Sequence, residues 1–141
     1  MTALDEFLAG ERPDDVAIYL SDDAVTDPDR LVTVGERVPD GVVIVVDGDR
    51  GRAAFQSATG VGAMEFAGAA MGRDGEIDRT LTDGRCPDAA DDESDHAVRF
   101  LLAFAEERDE SVGGIYADGD VIHAYAACGC GTAYSEKWVV E

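Results

Sequence analysis

The chain has 141 residues, of which 31 are acidic and 11 are basic, so its formal net charge at pH 7 is −20. No basic cluster is present to meet phosphate groups, and the sequence therefore predicts no nucleic-acid binding. No apolar run is long enough to cross a bilayer, and the first residues lack the features of a secretory signal, so we expect a cytoplasmic protein without membrane contact. Hydrophobic residues make up 45% of the chain, which is enough for one domain spanning residues 1–141.

The first third of the chain predicts a strand–helix–strand unit after a short N-terminal helix. Residues 15–20 and 42–46 are apolar and rich in β-branched side chains, which is typical of buried strands. Between them, Pro28 follows an aspartate that can cap a helix carrying Leu31 and Val34. The unbroken run VVIVV at 42–46 favours burial on both faces, as in a central parallel strand, so we predict a βαβ unit.

Two helices and a polar segment are predicted next. The first helix begins near Asp49, and the second covers residues 60–72, where Met64 and Met71 share a side with Ala67 and Gly68. A methionine stripe of this kind predicts a core-facing side. Residues 73–95 are polar, acidic and contain glycine, so we expect an exposed acidic loop.

The last third predicts a helix followed by an antiparallel meander. Residues 96–110, HAVRFLLAFAEERDE, show apolar side chains at helical spacing. Residues 113–127 form two apolar runs joined by Asp-Gly, which is a hairpin signal, and residues 132–141 alternate as a third strand. The predicted fold is therefore a single mixed α/β domain of the α+β kind. It has a small mixed sheet, an N-terminal βαβ unit, a C-terminal antiparallel meander and helices packed on the sheet.

One ligand-binding position follows from the predicted parallel strands. Asp47 comes directly after residues 42–46, and ligands of open α/β sheets bind at the carboxyl ends of such strands. The aspartate could hold a cation or a ribose there. The alternative is that Asp47 and Gly48 make the turn and cap the next helix, and we favour this alternative.

The three cysteines allow two structural interpretations and one chemical interpretation. Cys128 and Cys130 flank Gly129 in a run of small residues, and Cys86 is the third thiol. If the acidic loop folds back, these three cysteines could bind zinc, with His96, an aspartate or water as the fourth ligand. Alternatively, Cys128 continues the apolar side of its strand and the CGCG segment is a packed turn. Reactive thiols are the third interpretation.

The stretches LDEFLAGERPDDVA, AMEFAG and CGCGTAYSEKWVVE, together with the acidic composition, resemble a family of short haloarchaeal proteins described as a domain of unknown function. The resemblance covers nearly the whole chain and implies an archaeal, cytosolic, halophilic protein. It implies no activity, substrate or cofactor.

The basic residues of the chain are almost all arginines. Lys137 is its single lysine.

Three functions remain open from the sequence. The first, which we favour, is a non-enzymatic accessory or interaction domain with a protein partner, stabilised by zinc if the cysteines bind it. The second is a small-ligand-binding protein or an enzyme with its site near Asp47. The third is a thiol redox protein that uses Cys128 and Cys130. The sequence predicts no catalytic residues and leaves the oligomeric state open.

Overall fold

A computed structural model describes residues 3–12, 14–22, 35–38, 41–79, 81, 83–86, 98–107, 111–129 and 131–140. In chain order, the helices are α1 (Ala3–Leu8), α2 (Gly48–Thr59), α3 (Ala63–Ala70) and α4 (Ile115–Asp118). The strands are β1 (Asp15–Ser21), β2 (Glu36–Val38), β3 (Gly41–Asp47), β4 (Glu76–Ile77), β5 (Gly84–Arg85), β6 (Val98–Glu106), β7 (Val121–Cys128) and β8 (Ala133–Val139). The predicted helix near Pro28, as well as His96 and Cys130, lie outside the described residues.

Six of the strands form one sheet in the order β2-β3-β1-β6-β7-β8, and every described pair in it is antiparallel. β1 lies directly beside β3, with Ile18 opposite Ile44. The predicted βαβ unit and its parallel strands are therefore wrong. The predicted single α+β domain with helices packed on the sheet is confirmed.

The continuous apolar run of β3 was the source of this error. Val43 and Val45 belong to the core on one face of the sheet, whereas Val42 and Ile44 belong to the core on the other. A run that is buried on both faces must be apolar at every position, whichever direction its neighbouring strands take. The prediction of two-sided burial was therefore correct, and the inference of parallel strands from it was not.

The segment 96–110, predicted as a helix, contains β6 instead. Leu101 and Ala103 face one side of the sheet, and Leu102 and Phe104 face the other. Because nearly every position of FLLAFA is apolar, the segment satisfies both the helical and the strand period, and its pairing with β1 and β7 decides the outcome. The opposite error occurs within residues 113–127, where the first predicted strand is instead the short helix α4. Gly113 and Gly114, both with positive φ, precede this helix.

The sheet has two covered faces, which we call the first face and the second face. The first face is packed against α1 and the segment that contains β4 and β5, and its core includes Phe7, Leu101 and Tyr134. The second face is packed against α2 and α3, and its core includes Phe55 and Phe66. The helix α2 approaches β1 so closely that a Cβ at Gly51 would overlap Val16, and glycine is therefore required there.

The described part of the predicted acidic loop, residues 73–95, is not uniformly exposed. β4 and β5 pair as a short antiparallel ladder, and Ile77, Leu81 and Cys86 are buried in the core of the first face. The described segment thus covers the sheet, since its apolar side chains are directed inward and its acidic ones outward.

The helix α3 exposes the side that the sequence predicted to be buried. Ala63, Phe66, Ala67 and Ala70 are its buried residues. Met64 and Met71 have 74% and 66% of their surface exposed. Ala67 is the one member of the predicted stripe that faces the core, because the aromatic ring of Phe66 determines which side of the helix packs on the sheet.

Candidate functional site

Asp47 caps a helix and does not stand at an edge of parallel strands. Its Oδ1 accepts a hydrogen bond of 3.0 Å from the backbone N–H of Arg50, and α2 begins at the next residue. The guanidinium of Arg50 lies 3.4 Å from the other carboxylate oxygen. An aspartate at this position satisfies an N–H group that the first helical turn leaves unpaired. The capping interpretation of Asp47 is confirmed, and the ligand-binding interpretation loses its basis because β3 has antiparallel neighbours.

Two of the three predicted zinc ligands are buried in the same core. Cys86 and Cys128 are 3% and 4% exposed, and both belong to the core of the first face. Cys130 lies outside the described residues, within which no group of three or more His, Cys, Asp or Glu side chains is arranged to hold a metal ion. The three-cysteine zinc site therefore stays a prediction.

The residues around Cys130 form a tight turn between β7 and β8. The backbone N–H of Cys128 donates to the carbonyl of Thr132 at 2.8 Å, and the N–H of Gly131 donates to the carbonyl of Cys128 at 3.0 Å. Gly131 has a φ of 98°, which glycine adopts without strain. Cys128 shares its core with Ile122, as the strand alternation predicts. Burial of Cys128 disfavours the redox interpretation, since reactive thiols are partly exposed.

A cluster of polar and aromatic side chains, which we call the His123 cluster, lies on the second face where α2 and α3 do not cover the sheet. His123 stands on β7, directly opposite Phe104 of β6 and Lys137 of β8. Its Nε2 donates a hydrogen bond of 2.9 Å to the Oε2 of Glu106, and the hydroxyl of Tyr116 on α4 lies 3.5 Å from the same nitrogen. Side chains from β6 and α4 thus contact the imidazole that β7 carries.

The rings of the His123 cluster are stacked on one another. His123 lies between Phe104, with ring centroids 5.0 Å apart, and Tyr116, with centroids 5.8 Å apart. Tyr125 continues the row beyond Phe104, and the ammonium of Lys137 lies 5.3 Å from the centre of the Tyr116 ring. Such contacts fix the orientation of the imidazole, and the ammonium is attracted to the ring face.

The His123 cluster combines groups that can bind or move a proton. A carboxylate that accepts from one ring nitrogen fixes the tautomer, so the other nitrogen of a neutral His123 is an acceptor. Burial raises the pKa of the neighbouring Tyr125, and the charges of Tyr116 and Glu106 add to this effect. The Tyr125 phenol therefore stays protonated to higher pH than an exposed tyrosine.

The sequence identified part of the His123 cluster. Strand alternation correctly placed His123 and Cys128 on opposite sides of β7, which separates the imidazole from the thiol. Glu106 could not be recognised as its partner, because its segment was interpreted as a helix. Lys137, the chain's single lysine, was the one compositional signal at this position.

A concave region lies on the first face, between the β4–β5 ladder and β8. It is an open cleft of about 500 Å³ lined mainly by charged side chains: Glu76, Asp78, Arg79, Asp83, Arg85 and Glu136. The guanidinium of Arg79 lies 4.9 Å from the centre of the Trp138 ring, and a Glu136 oxygen accepts from the backbone N–H of Ile77 at 2.5 Å. These contacts attach the ladder to β8.

The most exposed apolar surface in the described structure lies on and beside α3. Four large hydrophobic side chains are exposed among the described residues, and Val61, Met64 and Met71 account for three of them. The fourth, Val112, precedes α4. We call the group formed by Val61, Met64, Gly68 and Met71 the α3 surface. None of the helices in the described part of the chain has the length and apolar character needed to cross a membrane.

Residues 35–141 match a protein family described as a family of unknown function, DUF5807. Two of the three stretches that carry the resemblance noted above, residues 63–68 and 128–141, lie inside this match. No curated protein and no solved structure is significantly similar to the chain. Because the match spans most of its length, the chain belongs to this family of unknown function.

Proposed function

We propose that this protein is a salt-adapted, non-enzymatic interaction domain that binds a partner through the α3 surface. The observation that carries this proposal is the exposure of Met64 and Met71, at 74% and 66%, on α3 and directly after it in a strongly acidic protein. Contiguous exposed apolar side chains mark interaction sites more often than scattered ones do. Methionine is also well suited to such surfaces, because its unbranched side chain adapts to the shape of a partner.

The acidic composition supports adaptation to high salt. Among the described residues, the single polar or charged side chain that is buried is that of Ser21, so the described carboxylates lie at the surface. With a net charge of −20, their mutual repulsion destabilises the compact state in dilute buffer. Molar salt reduces the screening length to about 3 Å and removes most of this repulsion. A haloarchaeal cytoplasm would supply such conditions, in agreement with the resemblance noted from the sequence.

Thermal unfolding in increasing KCl tests the salt adaptation. We expect the melting temperature to rise steeply from about 0.01 M to above 1 M KCl, because the Debye length falls from about 30 Å to about 3 Å. Circular dichroism would follow the transition, and sucrose at matched water activity would serve as the uncharged control. A melting temperature that is the same across the KCl series would contradict salt adaptation.

Photo-crosslinking in the native host tests the interaction surface. A photoreactive amino acid at Met64 should yield a discrete adduct of higher mass, because this side chain would lie against the partner. The matched control places the same amino acid at Val112, which is 60% exposed but lies outside the α3 surface. Equal adduct patterns at both positions, or no adduct at Met64, would contradict the proposal.

Metal stabilisation is a second candidate property, supported by the burial of Cys86 and Cys128 in one core. A zinc ion held by Cys86, Cys128 and Cys130 would join the β4–β5 segment to the β7–β8 turn. Metal analysis of protein purified in high salt, compared with Cys86→Ser, tests it. One zinc per chain that is lost in the variant would support the site, and metal-free wild-type protein with a normal melting temperature would contradict it.

A further inference from the structure

We propose that the α3 surface binds the same surface of a second copy of this chain, forming a two-fold symmetric dimer. The inference rests on the proposed function and names the partner at the same site. It is supported by the shape of the helix, by the distribution of charge along the sequence and by the size of the exposed patch.

The shape of the α3 surface is self-complementary. Met64, Gly68 and Met71 are spaced i, i+4 and i+7, so two long side chains flank a position that has none. A Cβ built at Gly68 meets no atom within 4 Å, which means that the gap is open to solvent. When two such helices cross antiparallel about a two-fold axis beside Gly68, Met64 of one copy lies next to Met71 of the other. Such packing of the same patch on both subunits defines an isologous interface.

The α3 surface is a ridge and not a groove. The opposite side of α3, with Phe66 and Ala67, packs on the core of the second face, so the exposed side of the helix points away from the sheet. A peptide helix docks into an apolar groove, which a single exposed helix does not provide. Another helix with the same alternation of long and absent side chains fits it by interdigitation.

The low charge of the segment that contains α3 favours a second copy of this chain as the partner. Residues 60–72 contain one charged side chain, that of Glu65, whereas 30% of the whole chain is charged. Two copies, each of charge −20, repel one another less when they approach through this segment than through a segment of average charge. High salt screens the remaining repulsion and leaves the apolar contact intact. We therefore expect association to strengthen as salt rises, unlike binding to a basic partner, which salt would weaken.

The size of the exposed patch indicates a reversible dimer. Three partly exposed apolar side chains offer a patch of a few hundred Å², whereas stable complexes bury about 800 Å² on each partner. We expect a dissociation constant between about 10 µM and 1 mM in molar KCl, in the range of transient complexes.

Sedimentation velocity over a range of protein concentrations tests the dimer. In molar KCl the wild-type chain should shift from monomer to dimer with concentration, and the shift should weaken at low salt. Met64→Glu and Met71→Glu place charges in the contact and should each raise the dissociation constant at least about tenfold. Val112→Glu adds the same charge elsewhere and should leave it unchanged. Wild type that stays monomeric at about 1 mM, or Met64→Glu that dimerises like wild type, would overturn the proposal.

Disulfide trapping tests the position of the two-fold axis. In a Cys130→Ser background, Gly68→Cys should form a covalent dimer under mild oxidation, because only residues beside the axis bring two Cα atoms within about 4.4–6.8 Å. Val112→Cys in the same background is the control. The remaining thiols, Cys86 and Cys128, are buried and should not react. Absence of a covalent dimer in Gly68→Cys, with circular dichroism that shows a folded chain, would overturn this geometry.

The outcome of photo-crosslinking separates this inference from the proposed function. An adduct of twice the chain mass at Met64 supports the second copy as occupant. An adduct with a different protein, together with monomeric sedimentation, overturns the dimer and leaves the interaction function intact. Absence of any adduct overturns the proposed function itself.

Discussion

The two faces of the sheet share the same strands but are closed in different ways. On the first face, α1 and the β4–β5 segment enclose a core that includes Phe7 and Tyr134, both fully buried. On the second face, α2 and α3 pack over one part of the sheet, and the His123 cluster lies on another part of it. The second face therefore carries both the polar cluster and, on the outside of α3, the exposed apolar side chains.

This difference suggests that the core of the first face mainly stabilises the fold, whereas the second face also presents groups to solvent. The apolar core of the first face stabilises the fold, and its buried side chains, unlike the charged ones that line the open cleft on that face, are not accessible to a ligand or partner. A partly covered face leaves polar groups and helix surfaces accessible, at the cost of some packing. Matched substitutions on the two faces test this difference, because the loss in free energy of unfolding can be compared between them.

The largest expected effects come from two adjacent leucines on β6. Leu101 points into the first face and Leu102 into the second. We expect Leu101→Ala to lower the free energy of unfolding by about 4 kcal/mol and Leu102→Ala by about 3 kcal/mol, because cavities in fully enclosed cores relax least. Chemical unfolding in molar KCl measures both. A loss in Leu102→Ala equal to or greater than that in Leu101→Ala would contradict the comparison.

Two glycine substitutions should have effects of opposite sign. A Cβ at Gly75, beside the first face, would overlap the ring of Tyr134, so Gly75→Ala should destabilise the protein by about 1–3 kcal/mol. Gly68 lies in α3 with open space around it, so Gly68→Ala should stabilise the monomer by about 0.5–1 kcal/mol. Melting curves at low protein concentration would show the two shifts. Shifts of the same sign would argue against the difference in packing.

Substitutions in the His123 cluster should lower the free energy of unfolding by less than substitutions in either core. Tyr116 covers His123 by ring stacking and interacts with Lys137, and it is only partly buried. We expect Tyr116→Ala to lower the free energy of unfolding by about 1 kcal/mol, the size of an aromatic pair contribution. Val112→Ala, at an exposed position nearby in sequence, should change it by less than about 0.5 kcal/mol. Equal losses in both variants would show that the stacking does not contribute.

The sequence predicted local features well and non-local ones poorly. The cap at Asp47 and the helix after it depend on neighbouring residues, and both were recognised. The direction of β3 depends on which strand lies beside it, and an apolar run that is buried on both faces does not encode that direction.

In the His123 cluster and on α3, too, local features were predicted correctly and features that depend on distant residues were not. The alternation along β7 placed His123 opposite to Cys128 correctly, since it needs only the strand period. The partnership with Glu106 required β6 to be a strand paired with β7, and FLLAFA is apolar at too many positions to distinguish strand from helix. On α3, the bulky Phe66 rather than the methionines determined the buried side, because its ring packs with Phe55 and Phe100.

The smallest expected effect is a pH dependence that belongs to the second face. Burial, followed by the charges of Tyr116 and Glu106, raises the pKa of Tyr125 in the folded protein. In the unfolded chain a tyrosine ionises near pH 10. As pH rises above about 10, the unfolded chain therefore loses a proton that the folded chain still keeps. The unfolded state then binds fewer protons, so stability decreases with pH, whereas below about pH 10 this contribution is fully present.

Replacing Tyr125 by phenylalanine should remove this part of the alkaline destabilisation. Between about pH 9 and 11, we expect the free energy of unfolding of Tyr125→Phe to fall less than that of the wild type, because the variant has no phenol to ionise there. Glu106→Gln should reduce the slope in the same direction but by less, since it removes a smaller cause of the raised pKa. Unfolding curves at constant molar KCl would measure all three proteins. Parallel pH profiles for wild type and Tyr125→Phe would show that the folded and unfolded chains hold this proton equally, and would contradict a pKa of Tyr125 that burial raises.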